Sequence, residues 1–68
     1  MYFDSPMNVE QIIEKRKYEI KDLLKFRTYL QVLYENNELS EGTLYELQLR
    51  ISIRISQCEI CIREYQKI

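Results

Sequence analysis

The chain contains no histidine and no tryptophan, and only one glycine and one proline. Without histidine it lacks the commonest near-neutral acid–base group and the commonest nitrogen ligand for zinc. A single glycine excludes a glycine-rich phosphate loop. General acid–base work would fall to Glu, Lys or Tyr, and the expectation is a protein that is not an enzyme and uses no cofactor or metal. No apolar run approaches the ~20 residues of a membrane span, so no membrane is expected. The opening MYFDSPMN lacks the basic and apolar regions of a secretory signal, and a cytoplasmic location is expected. An excess of one charge is missing too: ten Lys and Arg stand against eleven Asp and Glu, which excludes a bulk basic field for nucleic acid.

The 68 residues make one small domain. Chains of this size compensate for a small core with disulfides, metal or oligomerisation.

The stretch Thr43 to Tyr65, TLYELQLRISIRISQCEICIREY, holds neither Gly nor Pro. At its centre Leu47, Leu49, Ile51, Ile53 and Ile55 alternate with polar residues, which is a strand signal. A strand of this length would far exceed the usual ~5–6 residues, and no second alternating segment exists to pair with it. The stretch therefore reads as a helix with two apolar stripes. Leu44, Leu47, Ile51, Ile55, Cys58, Ile62 and Tyr65 form a seam. Leu49, Ile53 and Ile60 form a second stripe on the opposite side. One neighbour within the chain cannot cover both.

Val9, Ile12, Ile13, Ile20, Leu23, Leu24, Leu30 and Leu33 recur at helical spacings in the first half. Ser5 capping with Pro6 at the first helical position, or Asn8 as a rival cap, starts that helix. Asn36-Asn37-Glu38-Leu39 reads as a turn. Ser40 caps the next helix with a Leu39–Leu44 staple, and Thr43 with Glu46 is a competing capping box. The expected fold is all-α: an arm at 1–6, a helix over about 7–36, a turn at 37–40 and a helix over about 41–67. The result is an antiparallel hairpin in a single domain, assembling into a helical bundle as a homo-oligomer or with a partner helix.

Cys58 and Cys61 form a C-x-x-C deep within the second helix, away from the helix start that redox motifs occupy. They read as small buried apolar residues. Two chains facing each other would supply four thiolates for a metal. Arg16, Arg27 and Arg54 fall at or near the inner seam, and hairpin folding brings Arg27 towards Arg50 with Arg54 one turn on. Their stems line the interface edge with the heads in water, or they form a cluster that takes an acidic group from another chain. The first helix carries Lys15, Arg16, Lys17, Lys21, Lys25 and Arg27, with Tyr18 and Tyr29 on its outer face. Six tyrosines in this length favour protein–protein contact.

The stretches IIEKRKYEIKDLL and SQCEICIREYQK resemble parts of the small two-helix phosphatases that regulate sporulation phosphorelays. Those carry a Ser-Gln-x-x-Asp core. Here Ser56-Gln57-Cys58-Glu59-Ile60 has Ile at the Asp position, so the resemblance implies a hairpin and carries no activity with it. Length and two-helix plan are also similar to small type III secretion co-chaperones.

The reading is a small non-enzymatic protein–protein interaction module, a regulator, inhibitor or co-chaperone of the phage or bacterial kind. Its partner-binding residues are Leu49, Ile53, Ile60, Arg27, Arg50, Arg54, Tyr18 and Tyr29. The alternative is a small dimeric nucleic-acid-binding protein using the basic first helix.

Overall fold

A computed structural model describes residues 8–67. It contains two helices, α1 (Val9–Glu35) and α2 (Glu41–Gln66). Among the described residues there is no strand, and the two helices pack against each other as a hairpin.

Each boundary has a local cause. Asn8 caps α1: its side-chain oxygen accepts from the Gln11 N–H at 2.8 Å, and the Gln11 side chain accepts from the Asn8 N–H at 3.2 Å. This capping box satisfies two of the amide donors that a helix start leaves unpaired. Asn8 is thus the cap. The arm at 1–6, with Ser5 and Pro6, and Met7 lie outside the described residues.

The other end of α1 closes in a Schellman motif. The Asn37 N–H donates to the Tyr34 carbonyl at 3.0 Å and the Glu38 N–H to the Leu33 carbonyl at 2.8 Å. The motif requires a left-handed residue after the cap, and Asn37 takes that role with φ of 61°. Ser40 then caps α2, accepting from the Thr43 N–H at 3.2 Å and donating its hydroxyl to Thr43 Oγ1 at 2.9 Å. Because Ser40 occupies Thr43 in this way, the rival Thr43–Glu46 box does not form. The turn expected at 37–40 begins at Asn36, one residue earlier.

The core lies beside the bend. Leu30, Leu44 and Ile51 are buried, with Leu23, Leu33, Leu39, Leu47 and Ile55 packed on them. Leu39 joining this cluster from just before the cap is the hydrophobic staple. All seven seam residues of α2 are buried or half-buried. Two members of the α1 pattern are not: Leu24 is 41% exposed and Val9 is exposed at the first helical position. Leu24 sits six residues before Leu30, which is roughly 120° round the helix, past the edge of a single neighbour.

The hairpin measures 48 × 27 × 15 Å. A helix with its side chains is about 10–12 Å across, so the molecule is one layer thick. Among the described residues, nothing forms a second layer over either broad face of the hairpin.

Candidate functional site

Positions on α2 follow from Ile51, which is buried against α1. At 3.6 residues per turn, Leu49 and Ile53 lie roughly 200° from Ile51 and Ile60 roughly 180° from it. The three therefore share the side of α2 that faces away from α1. They are 48%, 51% and 51% exposed.

Two cross-helix bonds mark the two flanks of the hairpin. On one, the Gln48 amide donates to Gln31 Oε1 at 3.5 Å. On the other, the Arg54 Nε–H donates to the Glu19 carboxylate. Arg16 reaches the second Glu19 oxygen from one turn before, at 2.9 Å, so a single carboxylate is held between two guanidinium groups. Arg54 also donates to Gln57 Oε1 at 3.4 Å. The electrostatics follow from this geometry. Arg54 foremost, and Arg16 after it, outweigh the opposing push of burial and lower the Glu19 pKa to about 2. Cys61 and Glu19 in turn raise the Arg16 guanidinium above its ordinary value.

Cys58 sits beneath this layer and is 1% exposed. Burial first, and the neighbouring Glu19 charge second, push its thiol upward. Both thiols are free, and Cys61 is half-buried. α1 encloses Cys58, so the pair faces the intrachain seam; supplying four thiolates to a metal across two chains would require opening the hairpin. Among the described residues no group of three or more His, Cys, Asp or Glu could hold a metal ion.

The expected partner-binding residues do not form one surface. Leu49, Ile53 and Ile60 lie on the outer side of α2. Arg54 belongs to the Glu19 flank. Arg50 lies on the same flank, one residue before Ile51, exposed and tied to Glu46 at 2.9 Å. Arg27 is on the Gln31 flank, exposed and outside the salt bridges of the described residues. The structure thus replaces an Arg27–Arg50–Arg54 grouping with Arg16–Glu19–Arg54. Tyr18 and Tyr29 are exposed on α1, roughly 100–120° round from Leu30 on the Glu19 side.

Sequence reasoning missed two residues here. Glu19 interrupts the apolar seam of α1 three residues after Arg16. Opposite charges at neighbouring seam positions are the signal that would have found it. Phe26 is 47% exposed beside Tyr29, with ring centroids 6.4 Å apart. It occupies a seam-edge position where an aromatic would be expected to bury.

No protein-family model matches this chain, and no curated protein or solved structure matches it significantly. Among the described residues no helix is long and apolar enough to cross a membrane.

Proposed function

We propose that this chain is a non-enzymatic interaction module, a helical hairpin that docks on another helical surface through Leu49, Ile53 and Ile60. One observation carries the reading: three large aliphatic side chains share the face of α2 that the rest of the hairpin leaves in water. Fully burying such a side chain contributes about 1.5–3 kcal/mol. Covering the exposed half of all three is therefore worth on the order of 3 kcal/mol, or about a hundredfold in affinity. Regulation, inhibition or chaperoning of a partner by capping its helix would use such a face. Arg50, exposed on the flank beside that face, adds recognition of acidic groups. Free thiols three residues apart fit a reducing compartment such as the cytoplasm.

The test is the triple substitution Leu49→Ser, Ile53→Ser, Ile60→Ser. These side chains stand outside the intrachain core, so the variant should keep its helical circular dichroism. It should lose the protein associations of the wild type, whether with itself or with a co-purifying partner. Unchanged association by the folded variant would rule the reading out.

A second reading draws on α1. Lys17, Lys21 and Lys25 are exposed beside Tyr18 and outside the salt bridges of the described residues. Basic residues with an interleaved aromatic suit a nucleic-acid backbone. A gel shift that fades steeply as salt rises would favour it, and no shift at low salt would remove it.

A further inference from the structure

We infer that Cys58 and Cys61 form an intrachain site for a soft monovalent metal ion, Cu(I), held between two thiolates. The inference is independent of the docking face on the outer side of α2.

The spacing of the thiols decides what they can bind. Side chains three residues apart on a helix have β-carbons about 5–6 Å apart, whereas a disulfide needs about 3.5–4.5 Å. Joining the two sulfurs directly would therefore distort α2. A bridging ion spans the gap. With metal–sulfur bonds of about 2.3 Å, it holds two sulfurs up to ~4.6 Å apart and leaves the helix intact. Zinc asks for four donors in a structural site, and among the described residues no group of three or more His, Cys, Asp or Glu could supply them. Cu(I) is selected by soft thiolate ligands and is satisfied by two in a linear arrangement.

Both thiols lie on one wedge of the hairpin. Cys58 and Cys61 stand roughly 20° and 80° round α2 from Ile51 in the same sense, with Arg54 at roughly 60° between them. Cys58 is 1% exposed and Cys61 is half-buried. One sulfur is thus shut away from water, and the other gives the ion its way in. Glu19 lies beside Cys58, and Arg16 beside Cys61.

The charges around the wedge suit the metal-bound form. With both thiols protonated, Arg16 and Arg54 against Glu19 leave one net positive charge. Binding follows Cu⁺ + 2 RSH → [Cu(SR)₂]⁻ + 2 H⁺, so the ion displaces both thiol protons and its centre carries one negative charge. The cluster then becomes neutral. The two guanidinium groups offset what burial and Glu19 cost the Cys58 thiolate.

The test is an anaerobic titration of the full chain with Cu(I) against a coloured copper chelator such as bicinchoninate. The wild type should withdraw one Cu(I) per chain and keep its helical circular dichroism. Outer partners of a metal site carry about 10–100-fold in affinity, and loss of a ligand should cost at least ~100-fold, in Cys58→Ser and in Cys61→Ser alike. Arg16→Gln should weaken binding about tenfold, with Arg16→Lys recovering most of it. Cys61 is half-buried at the flank, so its variant remains informative if Cys58→Ser lowers helicity. A wild type that leaves the chelator complex intact overturns the inference, as does a Cys61→Ser variant that takes up copper as well as the wild type. One copper per two chains, with helicity lost, would mean that the hairpin opens to offer four thiolates, and it overturns the intrachain site too. The Leu49, Ile53, Ile60 triple variant keeps both cysteines and should hold copper like the wild type, so failure of the docking face and failure of the metal site are told apart.

Discussion

The two halves of the hairpin are held together by different chemistry. Beside the bend, Leu30, Leu44 and Ile51 bury against one another with a ring of leucines around them. Both helix ends there are closed by side-chain or backbone hydrogen bonds. Towards the open end, the seam passes through Arg16, Glu19 and Arg54 and a buried thiol. The first half resembles an ordinary two-helix interface cut to minimum size. The second contributes little apolar burial, and its ion pairs are partly wet, where such pairs are worth little. Its charges still constrain the fold. Arg16 pairs with Glu19 within α1, but Arg54 reaches Glu19 only when the two helices sit in one register, so the cross-helix pair selects the alignment that the apolar seam alone leaves loose.

The widest gap between the halves should show in cavity-forming substitutions. Ile51→Ala should cost about 3 kcal/mol, enough to unfold most of a small hairpin. Ile62→Ala, at a half-buried seam position near the open end, should cost about 1 kcal/mol. Thermal melts by circular dichroism compare them, and equal losses would erase the distinction.

Acid should act on the open half through Glu19. The Glu19 pKa falls from 4.5 to about 2 on folding. The unfolded chain therefore binds the proton first, and the stabilisation is present above pH about 4.5 and lost as pH drops towards about 2. Glu19→Gln should flatten this acid limb, read as helicity against pH. In alkali the sign reverses. The Cys58 thiol is raised above its ordinary value of 9.0, so its share of stability is complete below that pH and declines above it. Cys58→Ala should remove that decline.

Smaller effects belong to the bend. Asn37→Ala puts a β-carbon without a compensating side chain into left-handed backbone and should cost about 1 kcal/mol, while Asn37→Gly should gain slightly. Gly42→Ala meets nothing within 4 Å and should stabilise α2 by about 0.5 kcal/mol. A loss there, measured by urea midpoint, would show that the first turn of α2 is constrained from outside.

The hairpin and both faces of α2 were legible because periodicity reports each helix separately. Ser40 and Asn37 were legible because capping and left-handed turns demand particular side chains. The ion-paired flank was not. Which charge meets which across two helices depends on the flank each occupies, and one residue of offset moves a side chain by roughly 100°. Arg27 and Arg50 come level along the hairpin yet lie on opposite flanks, while Glu19, an acid among the lysines of α1, sits where Arg54 can reach it. The exposure of Leu24 and Phe26 was hidden for a related reason: a helix with a single neighbour buries a narrower arc than its apolar pattern spans.

The flat, elongated outline has a consequence for hydrodynamics. A body more than three times as long as it is thick meets more friction than a sphere of equal mass. A lone chain would leave a sizing column early and pass for something heavier, so scattering or sedimentation mass, rather than elution volume, distinguishes shape from pairing.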